Sequence, residues 1–428
     1  MSNTENQSSL EEGSVSNKYR NYVLFMLTLT YVFNFIDRQI LVVLQESIKA
    51  DLNLSDTQLG LLSGFTFALF YVVVGIPIAR LADKGNRRNI IAVSLTVWSA
   101  MTALSGMAQN FIQLLLARIG VGVGEAGGSP PAHAMISDYF PAEKRATALS
   151  IYSVGIYVGI MIGFPLGGWL NIEYGWRIAL LALGLPGILF AVIFYMTVKE
   201  PVRVVDKKST ESNANTLKEV IQHLMSKKSF VLLASACGLH TFCTYGLGNW
   251  MPSFLIRVHG LTSGEVGLSL GLIIGLGGAT GTYLGGYLAD KLGKNDKTWY
   301  FKVSGYAAII ALPFTALVYF HDSSSVVLGS LVMVYVCFSV FLGPSIAITH
   351  SLVPVQMRAF SSAILFLVLN LIGLGFGPLV VGAISDVLVP TFGTESIRWA
   401  LSTTLVVSFG AIVLFFKASK YAEEDLSV

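Results

Sequence analysis

Long apolar runs alternate with short polar stretches along most of the chain. A helix needs about 20 mostly apolar residues to cross the roughly 30 Å hydrocarbon core of a bilayer. Twelve runs meet this requirement, so the pattern predicts twelve membrane-spanning helices. They lie at residues 20–45, 57–82, 89–108, 111–137, 146–171, 177–198, 229–257, 264–290, 299–320, 325–351, 358–388 and 397–418.

A polar stretch at 199–228 divides these spans into two groups of six. The prediction is therefore an N-terminal bundle at 19–198, a central loop at 199–228 and a C-terminal bundle at 229–418. Residues 1–18 are rich in Ser, Asn and Glu and lack the basic start of a signal peptide, so we expect a disordered cytoplasmic tail. A second cytoplasmic tail is expected at 419–428.

Composition supports membrane insertion. The 428 residues are 54% hydrophobic and 12% charged, against about 25% charged in soluble proteins. The net charge of +3 gives no reason to expect nucleic acid binding. The three cysteines lie in apolar runs without metal-site spacing, so neither a metal nor a disulfide is predicted. We expect no cofactor.

Basic residues indicate the orientation. If the two termini and the loops after the even-numbered spans are assigned to one side of the membrane, that side holds 21 of the 28 Lys and Arg residues. The positive-inside rule then places both termini in the cytoplasm, which requires an even number of spans. We therefore predict a multi-pass protein of the cell membrane.

The two groups of spans contain related sequences. Residues 54–61 resemble 261–268 at a spacing of 207, and 81–84 resemble 288–291 at the same spacing. Pro141, Arg145 and Pro165 recur at a spacing of 213, as Pro354, Arg358 and Pro378. Such self-similarity indicates internal duplication. The predicted fold class is an all-α integral membrane protein with two pseudo-symmetric six-helix bundles.

The segment 79–88 resembles the cytoplasmic loop motif of major facilitator transporters, although Ala79 and Asn86 replace two of its glycines. The resemblance implies a gate between the halves on the cytoplasmic side. The residues assigned to this gate are Asp83, Lys84, Arg87, Arg88, Arg145 and Asp290, the last belonging to a weaker second copy. A solvated basic loop is the alternative interpretation.

Five further segments, 34–38, 116–126, 137–141, 198–201 and 246–252, resemble the Spinster branch of this superfamily. The resemblance implies alternating access around a central site, and export of lysophospholipids or sphingosine-1-phosphate with proposed proton coupling. We expect a monomer whose partners are membrane lipids, protons and a small-molecule or lysolipid substrate.

Four charged residues lie well inside predicted spans: Asp37 and Arg38 in span 1, and Arg118 and Glu125 in span 4. Charges at such depth are costly and mark functional sites. Helix rise places Asp37 and Arg118 at similar depth and Glu125 nearer the midplane. We therefore expect Asp37 to pair with Arg118.

Arg38 would then be available for an anionic headgroup, because its forked donors suit such groups. Glu125 is the best candidate proton carrier, since desolvation favours the neutral acid over the anion, and Asp37 is the second. A permanent structural charge cluster is the alternative for all four residues.

The second half offers no mid-span carboxylate. His240, Tyr245 and Asn370 are its candidate substrate-binding residues, although a structural histidine is at least as plausible. The half is otherwise rich in Tyr, Phe and hydroxyl side chains. A cavity with charge on one side and aromatic surface on the other suits an amphipathic ligand.

Other functions remain open. A rival substrate class is small organic anions such as sugar acids. No phosphate-binding Gly-x-x-x-x-Gly-Lys motif occurs, so a gradient must supply the energy. An intramembrane lipid-modifying enzyme would have to use His133 and Asp138, which lack a metal-ligand partner. A channel is a further alternative.

Overall fold

A computed structural model describes residues 16–201 and 217–426. The chain is almost entirely helical over these ranges. Most of the predicted tail at 1–18 and part of the central loop at 199–228 lie outside the described residues.

Twelve helices, α1 to α12, follow one another along the described chain. They are α1 Asn17–Leu52, α2 Asp56–Lys84, α3 Arg87–Ser105, α4 Phe111–Tyr139, α5 and α6 before and after Gly175 in Ala142–Thr197, α7 Lys228–Arg257, α8 Ser263–Gly293, α9 Trp299–Phe320, α10 Ser324–Ser351, α11 358–392 and α12 Ser396–Leu426. A short helix, Leu217–Ser226, precedes α7.

Among the described residues, nine continuous helical stretches are long and apolar enough to cross a membrane. Two of them, Glu143–Thr197 and Val355–Leu426, contain 55 and 72 residues, so each can cross twice. With Arg87–Ser105, which has 19 residues, the stretches accommodate the twelve predicted spans. Large apolar side chains remain exposed on their outer surfaces, as Met196 is at 76%. The predicted all-helical, two-bundle fold is confirmed.

Several helix boundaries differ from the sequence prediction. α12 continues to Leu426, past the expected end at 418, because Ala418 and Ala422 are buried in the core of its half. The predicted spans 5 and 6 form one interrupted helix, broken where Gly175 takes a φ of 80°. Such a φ favours glycine, which lacks the clashing Cβ.

The internal repeat is visible in the backbone. Asn53 between α1 and α2 has a φ of 50°, and Gly260 between α7 and α8 has a φ of 67°. These left-handed residues are 207 positions apart, as the sequence repeat requires. Helix α4 is interrupted at 126–128, and α10 is interrupted at 340–341, close to the second spacing of 213.

The halves meet at two equivalent helix crossings. A Cβ at Gly60 of α2 would lie 2.5 Å from the carbonyl oxygen of Pro378 in α11. At the repeat-related position, a Cβ at Gly267 of α8 would overlap the carbonyl of Phe164, next to Pro165 in α5. Glycine thus lets the backbones of the two halves approach closely.

The bundle has two ends, which we name by the chain termini. The termini side carries residues near 16–20, 84–88, 138–145, 197–201 and 420–426, and the opposite side carries the connections near 53–55 and 258–262. A hydrophobic cluster toward the opposite side includes residues of both halves, such as Ile40 and Phe254. A cluster around Phe230 and Phe415, by contrast, lies wholly within the C-terminal half.

Candidate functional site

The four intramembrane charges lie together between α1 and α4. Asp37, Arg118 and Glu125 are each 1–2% exposed. Arg38 donates from Nε to Oε2 of Glu125 at 2.6 Å. The cluster therefore contains two cations and two carboxylates in an environment largely closed to solvent.

The direct pairing differs from the expected one. Among the described residues, no nitrogen of Arg118 lies within 4.0 Å of an Asp37 oxygen, although the two groups interact electrostatically. The ion pair joins Arg38 to Glu125 instead, because the long guanidinium side chain spans the difference in depth that separates their backbones. Arg38 is therefore not free for a ligand in this conformation.

Several polar atoms of the cluster lack hydrogen bonds to the described residues. They include both carboxylate oxygens of Asp37, Oε1 of Glu125, and Nε and Nη1 of Arg118. Thr102 lies beside Asp37, but neither group makes a hydrogen bond of normal geometry. Buried polar groups are usually satisfied, so such a concentration points to function.

Backbone geometry positions Glu125. It is the last residue before the interruption of α4 at 126–128. A Cβ at Gly124 would lie 2.6 Å from the backbone nitrogen of Trp98, and one at Gly122 would lie 3.1 Å from the carbonyl oxygen of Phe67. The glycines thus seat α4 closely against α3 and α2, which fixes the depth of the carboxylate.

Aromatic rings surround Arg38. The centroids of Phe35, Phe67 and Tyr71 lie 5.2, 4.9 and 5.2 Å from its Cζ. Phe67 also lies 5.8 Å from Cζ of Arg118. Cations are attracted to ring faces at these distances. Sequence reasoning missed this ring cluster, although Phe67 and Tyr71 are four residues apart and so share one face of α2.

Tyr245 contributes the facing wall. It lies in the middle of α7 and is 38% exposed, yet it interacts electrostatically with Arg38 of the other half. Tyr245 therefore lies near Arg38 although the two residues belong to different halves. Tyr245 follows Arg38 by 207 residues, so the two side chains occupy repeat-related positions. The structure therefore brings together the predicted Arg38, Arg118, Glu125 and Tyr245.

His240 does not join them. It is 2% exposed, its Nε2 lies 3.0 Å from the carbonyl oxygen of Phe338, and its ring contacts Phe338, Phe341 and Phe415. These contacts are internal to the C-terminal half, so they favour the structural interpretation of His240 over a role in substrate binding. Asn370 is half-buried within the π-helical segment Leu369–Phe376 of α11.

The side chains near the motif at 79–88 make their visible contacts inside the N-terminal half. Arg87 is buried and forms ion pairs with Asp138 at 2.6 Å and Glu200 at 3.1 Å. Arg88 stacks on Tyr195, with Cζ 4.5 Å from the ring centroid.

Two other residues assigned to the gate, Arg145 and Asp290, form hydrogen bonds inside their own halves. Arg145 donates to the carbonyl oxygen of Phe140 at 3.0 Å. In the C-terminal half, Asp290 accepts a hydrogen bond from Tyr300 at 2.8 Å. Asp83 and Lys84 lie exposed on the termini side.

An ionic network joins the halves on the opposite side, and sequence reasoning missed it. Arg257 at the end of α7 binds Glu46 of α1 at 2.7 Å and Asp56 of α2 at 2.7 Å. Asp56 is fully buried and also accepts from Lys49 and Ser385. We call these five residues the opposite-side latch.

Two further contacts strengthen the closure at this side. Asp386 of α11 accepts from the backbone nitrogens of Asp56 and Thr57 at 2.9 and 2.7 Å, so it caps the first turn of α2. Asn249 of α7 accepts from Gln45 and Ser63 of the other half at 2.7 and 2.9 Å. The structure is thus closed on the opposite side.

Known proteins share this sequence and architecture. Residues 27–378 match the sequence profile described as Major Facilitator Superfamily. An MFS-type efflux pump of Mycolicibacterium smegmatis is 32% identical over 407 residues, which cover 93% of this chain and 92% of that protein. The cis,cis-muconate transport protein of Acinetobacter baylyi is 31% identical over 298 residues, covering 67% and 69% of the two chains.

A solved structure is also similar over almost the whole length. It is the crystal structure of a bacterial homolog of the human lysosomal transporter Spinster, in an inward-facing and unoccupied conformation. The match has a TM-score of 0.89 at 32% identity and covers 96% of this chain and 99% of that chain.

Proposed function

Because this chain belongs to the major facilitator superfamily and is similar to its Spinster branch, we propose that it is a proton-coupled secondary transporter. Its proposed substrate is amphipathic, with an anionic headgroup and an apolar tail, such as a lysolipid or a sphingosine-phosphate-like molecule. The observation that carries the proposal is the buried ion pair between Arg38 and Glu125, in which Oε1 of Glu125 makes no hydrogen bond of normal geometry to the described residues.

The proposed coupling is a competition for Arg38. An anionic headgroup and the Glu125 carboxylate would both bind the guanidinium of Arg38, and its Nε already donates a hydrogen bond to Glu125. Protonation of Glu125 removes its charge and releases Arg38 for the headgroup. Since each event favours the other, proton and substrate bind together, as thermodynamic linkage requires.

Asp37 and Arg118 complete the proposed site. Asp37 interacts electrostatically with Arg118 and Glu125, and its two oxygens lack hydrogen bonds to the described residues. It can therefore take the second proton position. Arg118 keeps the cluster electrically balanced, because its charge offsets that of Asp37 when Glu125 and Arg38 separate.

The rest of the cleft is proposed to hold the tail. Phe35, Phe67 and Tyr71 surround Arg38, and Tyr245 faces it from the other half. Aromatic faces offer large apolar area with fixed geometry. Asn370, in the π-helical segment of α11, is the candidate polar contact of the C-terminal half.

Alternating access would exchange the two closures. The opposite-side latch holds one end in the present conformation, and the gate motif, with Asp83 and Asp290, is proposed to join the halves when the other end closes. We propose that both termini are cytoplasmic and that the monomer is the working unit in the cell membrane. The present state would then open toward the cytoplasm.

Uptake into proteoliposomes tests the proposal. Lysolipids, sphingoid phosphates and organic anions are compared with and without an imposed pH gradient. With a gradient of one pH unit and one proton per substrate, we expect wild-type protein to accumulate the amphipathic substrates about tenfold, because one pH unit corresponds to a factor of ten in an equilibrium ratio. Glu125→Gln should abolish this response while substrate binding in detergent persists. Glu173→Gln, an exposed acid in the same half, is the matched control.

The result that contradicts the coupling is a pH response in Glu125→Gln equal to that of wild type. Loss of both binding and flux in this variant would instead indicate a damaged fold, so binding is measured on every preparation. Saturation of flux and its response to a trans gradient distinguish a transporter from a channel.

Small organic anions are the second candidate. The similarity to the cis,cis-muconate transport protein favours this class, and Arg38 suits a carboxylate as well as a phosphate. Competition separates the candidates. If sugar acids or muconate displace a fluorescent lysolipid and are themselves driven by the pH gradient, the organic anion is the substrate.

A further inference from the structure

A groove of about 830 Å³ lies on the termini side of the C-terminal half, away from the proposed transport cleft. The short helix Leu217–Ser226 and the adjacent ends of α7 and α12 form it. Its lining residues are Met225, Lys228, Val231, Leu232, Lys417, Lys420 and Tyr421. None of these described lining residues is acidic, so the groove combines positive charge with apolar surface.

The three lysines are available to a ligand. Lys228, Lys417 and Lys420 are all exposed, and none of them forms an ion pair within 4.0 Å among the described residues. Lys417 and Lys420 lie three residues apart, so they share one face of α12. Lys228 approaches them from α7, with Nζ 5.3 Å from the ring centroid of Tyr421.

One acid at the end of α12, Asp425, contacts the first turn of α7. Asp425 accepts a hydrogen bond from the backbone nitrogen of Ser229 at 2.7 Å, and its carbonyl oxygen accepts from Lys227 at 3.0 Å. Its carboxylate thus accepts a hydrogen bond from a backbone N–H in the first turn of α7.

An apolar wall continues from the lysines along the short helix. Val220 and Leu224 are buried against the C-terminal half, whereas Ile221 and Met225 are 42% and 62% exposed. The helix therefore packs one apolar strip against the protein and leaves a second apolar strip, Ile221 and Met225, exposed. At a membrane surface, such a strip contacts acyl chains.

At the equivalent place in the N-terminal half, a tyrosine side chain bridges two helix ends. There the first helix of the half meets the end of its sixth helix, as α7 meets α12. The hydroxyl of Tyr19 donates to the carbonyl oxygen of Thr197 at 3.0 Å and accepts from the backbone nitrogen of Lys199 at 2.8 Å.

We propose that this groove binds the headgroup of an anionic phospholipid from the surrounding membrane. Lys228, Lys417 and Lys420 hold the phosphate, and the acyl chains lie along Met225, Ile221 and Val231. Lysine stems rest on apolar surface while their ammonium groups reach the headgroup layer. Basic pockets at the membrane ends of transmembrane helices recognise anionic headgroups in this way.

Native mass spectrometry of the purified chain provides the test. The protein is titrated with dioleoyl phosphatidylglycerol, with dioleoyl phosphatidylcholine as the lipid of equal acyl chains, and with inorganic phosphate as a soluble anion. We expect one tightly held phosphatidylglycerol on the wild type. The triple variant Lys228→Gln, Lys417→Gln, Lys420→Gln should weaken that binding by at least about tenfold.

Two matched variants accompany it. Lys144→Gln, Lys294→Gln, Lys297→Gln removes the same charge from exposed positions outside the groove and should bind as wild type. Replacing the three groove lysines by Arg keeps the charge and should also retain binding, which separates lipid recognition from a folding defect.

Three results would each overturn the proposal. One is equal phosphatidylglycerol affinity in the groove Gln variant and wild type. Another is equal binding of phosphatidylcholine and phosphatidylglycerol. The third is displacement of the lipid by millimolar inorganic phosphate, which would identify a site for soluble anions. If the groove Gln triple variant unfolds, the single change Lys420→Gln is measured against Lys294→Gln.

Discussion

Nε of Arg38 donates to Oε2 of Glu125 at 2.6 Å, and this bond joins α1 to α4 in the buried centre of the N-terminal half. It satisfies two charges that would otherwise be costly at this depth. The proposed transport cycle requires the same bond to break. The pair is therefore both a structural contact and the proposed switch.

The first prediction concerns the stability of this pair. Arg38→Gln or Glu125→Gln alone should lower the free energy of unfolding by about 3–5 kcal/mol, because each leaves an uncompensated buried charge. The double variant should recover most of the loss. Thermal unfolding in detergent measures all three. Additive losses in the double variant would show that the two side chains do not stabilise each other.

The second prediction concerns the opposite-side latch. Arg257→Gln removes charge-assisted hydrogen bonds to Glu46 and Asp56. These bonds contribute about 2 kcal/mol to the stability of the closed state. Their loss should therefore shift the equilibrium toward the open state by roughly thirtyfold. Spin labels at Gln109→Cys and Ser323→Cys, one in each half on that side, should report a longer distance. The three native cysteines are buried, so they should not label.

Arg398 offers the control for this experiment. It lies on the same side but pairs with Glu395 and Asp322 inside the C-terminal half. Arg398→Gln should leave the distance between the labels unchanged. An equal shift in both variants would mean that general loss of charge, and not the latch, controls closure.

The third prediction concerns the two helix crossings. Gly60→Ala and Gly267→Ala place a methyl group against the backbone of the other half. Each should lower stability by about 1–3 kcal/mol, the usual cost of overpacking, and should open the opposite side in the same distance measurement. Gly75→Ala and Gly286→Ala are controls on the same two helices, because nothing lies within 4 Å of a Cβ at either position.

The crossing prediction has a clear contrary outcome. If all four alanine variants show equal stability and equal distances, the close approach of the backbones is not needed for closure. If only Gly60→Ala has an effect, the two repeat-related crossings differ in their importance.

The fourth prediction separates structure from substrate binding at His240. His240→Ala removes a buried ring and its contact with the Phe338 carbonyl, so the free energy of unfolding should fall by about 2–5 kcal/mol. KM for the transported substrate should change less than twofold, which corresponds to a free-energy difference of about 0.4 kcal/mol. A large rise in KM with unchanged stability would return His240 to the substrate site.

The sequence was sufficient for the fold because span length and repetition are properties of long segments. The spacings of 207 and 213 also predicted which positions correspond, and the two helix crossings follow them. The charged quartet was identified because ionisable residues are rare at membrane depth. The assignment of partners within it was wrong, since depth along a helix ignores the reach of an arginine side chain.

Other features depend on contacts between distant positions. Arg257 is the last residue of the predicted span 229–257, where a basic residue can reach water and needs no partner, yet folding brings it to Glu46 and Asp56. The two interpretations of His240 could not be separated from sequence, because a single helix does not reveal which face meets its own half. Lys228 and Lys417 are too far apart in the chain for any local pattern to join them.

The charge balance of the quartet has an electrical consequence. Asp37, Arg38, Arg118 and Glu125 sum to zero formal charge, and one proton bound with one monoanion adds zero. Moving a net charge through a membrane potential of 100 mV involves about 2.3 kcal/mol. Under the proposed coupling, the empty and the loaded site are both neutral. Transport of a monoanion would therefore be electroneutral, and its rate would depend on the pH difference but not on the voltage.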